Sequence, residues 1–182
     1  MKKNIKYLSM SLHLEEPKIE LEEEFIDYIN EWKINNERIS PSASDPGELD
    51  FMSWFKKYLN MRNADTVPKG LVTSELYLLM DDSNRVIGAI DLRHKLNDYL
   101  LKFGGNIGYG IRPSERKKGY AKLMLNLTLK KCKENGMNKV LITCLKDNIG
   151  SAKTIISNNG ELEDEVVENN QIKQRYWIKL DN

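Results

Sequence analysis

Cysteine and histidine are scarce in this chain of 182 residues, which contains two of each. The cysteines, Cys132 and Cys144, do not form a CxxC pair, and neither histidine lies near them in the sequence. A metal site built on these residue types is therefore not indicated, and we expect both cysteines to be buried, reduced thiols.

Long apolar runs and an excess of charge of one sign are also lacking. No apolar stretch approaches the roughly 20 residues that span a bilayer, and the N-terminal stretch is interrupted by Ser9 and Ser11 too soon for a secretory signal. Lys and Arg number 28 against 27 Asp and Glu, so no overall field attracts nucleic acid or an anionic membrane. We expect a cytoplasmic protein without a nucleic-acid or membrane partner.

The composition is otherwise that of a globular protein, with 40% hydrophobic and 30% charged residues. The length suits one compact domain, and the sequence contains neither repeats nor a low-complexity linker. We therefore predict a single domain over residues 1–182.

Hydrophobic periodicity predicts a succession of strands and helices. The second helix should follow a breaker-rich loop, with Asp45 as N-cap, Pro46 as first helical residue and Glu48 as reciprocal capping partner. The predicted elements, in chain order, are a strand at 6–14, helices at 19–38 and 46–61, strands at 75–80, 85–92 and 106–112, a helix at 117–135, a strand at 139–145, a helix at 147–158, and strands at 161–167 and 171–180.

The strand at 106–112 has an unusual pattern, because Ile107, Tyr109 and Ile111 alternate with Gly108 and Gly110. One face of this strand therefore carries almost no side chains. Glycines in such a position permit a bulge or the close approach of a ligand.

The segment after this strand leads directly into an amphipathic helix. The free amides and the dipole of a helix N-terminus favour a pyrophosphate, and small residues at Gly119 and Ala121 allow phosphate oxygens to come close. Basic side chains at Arg116, Lys117 and Lys118 add positive charge. Taken alone, the same pattern also fits the start of an ordinary surface helix.

Four of these residues match a family signature. Pro113, Arg116, Gly119 and Ala121 fit P-x-x-R-x-x-G-x-G/A, and in this the sequence resembles the GNAT superfamily of N-acetyltransferases, with Ala121 where Gly is commoner. Residues 147–160 resemble the second conserved segment of that family, and the order of elements agrees over nearly the whole chain. Residues 93–94, 104–109 and 111–120 resemble more narrowly a bacterial subgroup of predicted acetyltransferases.

The resemblance implies an α/β (α+β) fold. Its central sheet is mixed and largely antiparallel, with about seven strands and helices on both faces, and it is splayed between the fourth and fifth strands. It also implies acetyl-CoA as donor, without a metal, and a pantetheine arm that enters the splay and pairs with the backbone near Ile111. Asn148 and Ser151 would contact this arm, cap a helix, or do both. The implied cofactor-binding residues are Ile111, Arg112, Arg116, Lys117, Lys118, Gly119, Tyr120, Ala121, Asn148 and Ser151.

Candidate catalytic residues follow from the chemistry of amine acetylation. The amine must be neutral, so a general base is needed; His94 is the first candidate and Asp91 the second. Either could instead be structural, His94 in a loop and Asp91 on the solvent face of its strand. The family's tyrosine acid has Ile155 at the matching position, so Tyr109, Tyr120 or water would protonate the leaving thiolate. Each tyrosine also fits a packing role.

The acceptor side is expected to come from the first two helices and their loop. Glu48 and Asp50 are possible anchors for a cationic amine, and the aromatic residues of this region fit either a pocket or the core: Trp32, Phe51, Trp54, Phe55 and Tyr58.

We expect acetyl transfer to a primary amine, by direct attack in a ternary complex, in a monomer or homodimer. The acceptor would be a small molecule or a peptide. The alternative is a non-catalytic acyl-CoA sensor. A nucleotide-binding protein is disfavoured because residues 116–122 lack the GxxxxGK[ST] pattern.

Overall fold

A computed structural model describes residues 11–180, so most of the predicted first strand, at 6–10, lies outside the described part. The elements are β1 (Leu12–Glu15), α1 (Glu22–Ile34), α2 (Phe51–Arg62), β2 (Glu75–Asp81), β3 (Val86–Leu92), β4 (Ile107–Ile111), α3 (Tyr120–Glu134), β5 (Lys139–Leu145), α4 (Ile149–Ile156), β6 (Glu161–Glu168) and β7 (Gln171–Lys179).

All seven strands form one sheet in the order β1-β2-β3-β4-β5-β7-β6. Neighbouring strands are antiparallel except β4 and β5, which are parallel. Helices α1 and α2 pack on one face of the sheet and α3 and α4 on the other, each over its own hydrophobic cluster. The predicted mixed, largely antiparallel sheet with helices on both faces is confirmed.

The central strands β4 and β5 are joined at one end only. Their register contains a single pair, Ile107 with Ile142. Just before this pair, Asn106 donates from its amide to the Leu141 carbonyl at 2.7 Å and accepts from the Leu141 amide on its side-chain oxygen at 2.8 Å. It exchanges two further bonds with the backbone of Arg93, at 2.8 and 2.9 Å. Beyond this apex the strands diverge, which confirms the predicted splay.

The face under α1 and α2 is filled by aromatic side chains. Trp54 is 1% exposed and stacks on Phe25 with ring centroids 3.9 Å apart. Phe51 and Tyr58 are also buried, and Trp54 donates from its indole nitrogen to the Ala43 carbonyl at 3.1 Å. The core alternative is therefore confirmed for Trp32, Phe51, Trp54 and Tyr58, whereas Phe55 is partly buried and packs against them.

The second helix begins later than predicted. Asp45 accepts from the Gly47 amide in a tight turn, and the positive φ of Gly47 (59°) is incompatible with a helix. The N-cap is Asp50, which accepts from the Ser53 amide at 2.7 Å. The prediction of Asp45 as N-cap was wrong because a second Asp, followed three residues later by Ser, offers the same capping chemistry further along the chain.

One segment was not predicted at all. Residues Leu100–Gly104 form a π-helical turn that lies over β5, where the Phe103 carbonyl accepts from Thr143 at 2.8 Å and from Lys173 at 3.2 Å. Within residues 11–180 no helix combines the length and the hydropathy needed to cross a bilayer.

Candidate active site

The gap between β4 and β5 is bounded by a strand edge with free backbone groups. The amide of Arg112 donates to the Ile87 carbonyl at 2.9 Å, so the backbone amides and carbonyls of even-numbered residues in β4 point toward β3. The backbone amides and carbonyls of odd-numbered residues therefore point into the gap. The Tyr109 carbonyl accepts from the Ser40 hydroxyl at 2.9 Å and the Ile111 carbonyl from Arg116 Nε at 3.1 Å. Among residues 11–180, the amides of Tyr109 and Ile111 have no strand partner on this side.

The glycine face of β4 is occupied by the chain itself. A Cβ at Gly110 would overlap the Ser40 carbonyl oxygen and lie 3.0 Å from the Trp32 ring, and one at Gly108 would lie 3.5 Å from Pro41. The close approach that these glycines permit is thus made by the loop between α1 and α2. The glycine face of β4 is therefore packed against this loop, and the open side of the strand is its edge.

The open end of the gap leads to the turn before α3. Lys117 and Gly119 have positive φ angles of 62° and 86°. Gly119 is the N-cap of α3 and supplies no side-chain cap, whereas α2 and α4 are capped by Asp50 and Asn148. The first amides of α3 are therefore left for another acceptor. A Cβ at Gly119 would meet no atom within 4 Å, so the turn opens outward.

The basic residues around this turn have different partners. Lys118 pairs with Glu115 at 2.8 Å. Arg116 is held by other groups, because Glu37 binds its guanidinium and the Trp32 ring lies beneath it. These contacts join the turn to the end of α1.

Arg112 was expected at the cofactor, but its side chain lies elsewhere. It is 1% exposed and its guanidinium lies beneath α1, 2.9 Å from Asp27 and 3.2 Å from Glu24. Because this acidic face of α1 holds the guanidinium, the Arg112 side chain fastens α1 to the end of β4 instead of extending to the turn.

Across the gap, three predicted residues meet. Asn148 caps α4 by accepting from the Ser151 amide at 3.0 Å. The Ser151 hydroxyl is 2.9 Å from the Tyr109 hydroxyl, within hydrogen-bond distance. Burial raises the pKa of Tyr109 to about 12, although the contact with Ser151 opposes the rise. Ile155, one turn further along α4, is fully buried in the core. A protonated phenol therefore projects from β4 to the start of α4.

His94 faces away from this gap. Its Nε2 is 3.3 Å from Glu75 on β2, and Glu75 also accepts from the Tyr77 hydroxyl at 2.6 Å. Burial raises the pKa of Glu75, but the bonds from Tyr77 and His94 outweigh it and the net shift is downward. Since β3 lies between β2 and β4, the imidazole is held on the far side of β3 from the gap.

Asp91 lies closer to the apex of the gap, opposite Gly108 in the register of β3 and β4. It is 1% exposed, so its placement on a solvent face was wrong. Its Oδ2 is 2.7 Å from Arg93, and its Oδ1 has no hydrogen-bond partner within residues 11–180. Burial raises the pKa of this carboxyl, and Arg93 and the nearby Ser74 hydroxyl lower it in part.

Two residues at this site, Ser40 and Glu37, were not predicted. They contact Tyr109 and Arg116 across 69 and 79 positions of sequence, respectively. No local pattern marks such contacts; only the packing of α1 and its following loop against β4 brings them together.

The sequence was compared with family models, curated proteins and solved structures. The model described as "Acetyltransferase (GNAT) domain" matches residues 12–159. The search of curated proteins gives no match.

Several solved structures share the fold at low identity. A dodecameric spermidine N-acetyltransferase from Vibrio cholerae is 18% identical, with 93% of this chain and 94% of that chain covered at a TM-score of 0.65. A microcin C7 self-immunity acetyltransferase, in complex with acetyl-CoA and AMP, is 18% identical, with 92% of both chains covered and a TM-score of 0.68. A Salmonella typhimurium acetyl transferase that modifies the N-terminal serine of ribosomal protein L7/L12 is 17% identical, with 94% and 96% covered and a TM-score of 0.67.

The open turn at Gly119 leads to a first prediction. Gly119→Glu should abolish binding of CoA, because a carboxylate would stand where the free amides favour phosphate oxygens. The Cβ has room, so the fold should survive with about 1–2 kcal/mol of strain from the positive φ angle. Calorimetric titration with CoA measures the affinity.

Gly136→Glu is the matched control. Gly136 follows the other end of α3, has a φ of 73°, and also has open space at its Cβ. It should suffer the same strain while keeping CoA affinity. If both variants bind CoA like the unaltered protein, the turn does not hold the phosphates.

Proposed function

The chain belongs to the GNAT family of acetyltransferases, and from that premise we propose that it transfers the acetyl group of acetyl-CoA to a primary amine by direct attack in a ternary complex. The main support is the alignment of two features, the uncapped amides before α3 and the free edge of β4. The first would hold a pyrophosphate, and the second would pair with the pantetheine arm attached to it.

The nucleotide end of the donor has a basic surface available. A groove of about 650 Å³ begins at Gly119 and runs along α3, past Lys122, Lys130 and Lys133. Lysines there suit the phosphates of a CoA nucleotide, since exposed ammonium groups are effective partners for phosphate. The groove supports CoA rather than a donor without phosphate.

The proposed reaction needs one new bond and two proton movements. The amine nitrogen attacks the thioester carbonyl carbon, the C–N bond forms, and the C–S bond breaks. A β4 amide at Tyr109 or Ile111 would stabilise the oxyanion, because both amides are free on the gap side. The thiolate takes the phenol proton of Tyr109, and the proton of the amine passes to a base.

Tyr109 is the proposed acid. Like any tyrosine, it is protonated at neutral pH, and its contact with Ser151 directs the hydroxyl across the gap. A tyrosine on β4 would thus supply the proton for the thiolate, which Ile155 on α4 cannot donate.

Asp91 is the proposed base in place of His94. A buried carboxyl on β3 near the apex, with one oxygen unpartnered among the described residues and a raised pKa, is suited to accept a proton directly or through one water. His94 was the first candidate from the sequence, but its bond to Glu75 would have to break for the ring to turn toward the gap.

Transfer is tested by turnover with a panel of amines. Free thiol should be released from acetyl-CoA above the buffer rate with at least one amine among amino acids, polyamines, peptides with a free N-terminus and aminoglycosides. Saturable acetyl-CoA binding without any release would favour the alternative function, an acyl-CoA sensor.

Tyr109→Phe should lower kcat about hundredfold with little change in KM for acetyl-CoA, since the ring remains and only the proton donor is lost. With the phenol pKa of about 12, the deficit should be constant at all pH values well below that value. Tyr77→Phe is the control, because its hydroxyl bonds to Glu75 on β2. Full kcat in Tyr109→Phe would assign the proton to water.

For the base, Asp91→Asn should lower kcat/KM for the amine about hundredfold at neutral pH, while His94→Gln stays within a few-fold. The loss should shrink as pH rises, because the free amine then deprotonates without help. CoA affinity and thermal unfolding check that the Arg93 pairing is not needed for folding. The reverse result, with the loss in His94→Gln alone, would restore His94 as the base.

A further inference from the structure

One carboxylate links the end of α1 to the donor turn. Glu37, three residues beyond α1, binds both terminal nitrogens of Arg116, with Nη1–Oε1 at 2.8 Å and Nη2–Oε2 at 2.7 Å. The same guanidinium lies 4.8 Å from the ring centroid of Trp32 and donates from Nε to the Ile111 carbonyl at 3.1 Å. Every nitrogen of the Arg116 side chain is therefore bonded within the protein.

The pair is stronger than its exposure suggests. Arg116 and Glu37 have 36% and 38% of their side chains exposed, and an isolated ion pair of that kind contributes little. Here the guanidinium is held in one orientation by the bidentate contact with Glu37, by the buried Trp32 ring and by the bond to the Ile111 carbonyl of β4. Arg116 is therefore a fixed connection between α1 and β4.

This orientation bears on both halves of the donor path. Ile111 is the last residue of β4 and its amide faces the gap, while Arg116 begins the turn whose amides precede α3. Binding Arg116 to Ile111 thus sets the distance between the strand edge and the turn. We propose that Glu37 is a positioning residue for the acyl-CoA donor, acting by holding Arg116 in this place. The inference rests on the proposed function, because it takes CoA as the ligand of the turn.

A positioning role and simple electrostatics predict opposite effects on CoA affinity when the charge of Glu37 is removed. Glu37 places a negative charge near the expected pyrophosphate, so removing it should tighten CoA binding if only charge mattered. If Glu37 positions Arg116, removing its charge should weaken binding instead.

The test compares CoA dissociation constants by calorimetry. Glu37→Gln should weaken CoA binding about tenfold and raise KM for acetyl-CoA with kcat nearly unchanged, because the charged fork is lost while the chemistry is not touched. Arg116→Lys, which keeps the charge but not the fork, should show a similar loss. The double variant should be no worse than the more affected single variant, as expected for one shared interaction.

Glu23→Gln is the matched control. It makes the same change in net charge on an exposed residue in the first turn of α1, at the opposite end of that helix from Glu37. CoA affinity should be unchanged in this variant. Equal losses in both Gln variants, additive losses in the double variant, or unchanged or tighter binding in Glu37→Gln would each overturn the positioning role.

The CoA titrations distinguish a failure of the positioning role from a failure of the proposed function. If the unaltered protein binds no CoA, the proposed function fails and this inference with it. If it binds CoA and Glu37→Gln binds equally well, only the positioning role fails. Thermal unfolding of each variant distinguishes a loss of affinity from a loss of fold.

Discussion

Both main-chain groups of Asn106 and both ends of its side-chain amide are bonded at the apex of the sheet, to Leu141 on β5 and to Arg93 after β3. Asn106 is 4% exposed, so each of these bonds satisfies a group that water does not reach. The side chain joins three strands at one point, and β4 and β5 can diverge beyond it without separating. The gap, the free strand edge and the path to the turn before α3 all depend on this junction.

An open strand edge inside a sheet leaves amides and carbonyls without strand partners. Within the described part of this protein, the carbonyls of the β4 edge are bonded by side chains, and the amides are not. Two side chains bind the carbonyls, Ser40 from the loop after α1 at Tyr109 and Arg116 from the turn before α3 at Ile111. Among residues 11–180 the amides have no strand partner on this side. The edge is therefore rich in donors, which suits the carbonyl oxygens of a pantetheine arm and of a thioester. The glycines of β4 contribute indirectly, because they let the Ser40 segment come close enough to bind.

Sequence patterns predicted those elements whose signal is local. The apolar run Lys139–Leu145 and the turn at Gly119 lie where the sequence placed them, since burial and positive φ angles leave direct marks on residue type. Side-chain partners were harder to predict. Arg112 stands beside the motif, yet its carboxylate partners lie 85 and 88 positions away on α1. His94 likewise depends on Glu75, a contact that the strand register creates and no spacing reveals.

The position of Tyr109 on a strand has a mechanical consequence for the proposed chemistry. Its hydroxyl reaches Ser151 only because β4 and α4 stand at the present separation, with Asn148 fixing the first turn of α4. An acid on α4 itself would move with that helix. Tyr109 spans the gap, so the contact of its hydroxyl with α4 depends on the width of the gap. A shift of β4 relative to α4 would therefore act on the leaving group as well as on the donor path. The donor turn, the strand edge and the proposed acid form one unit, with α1 holding its outer end and Asn106 its inner end.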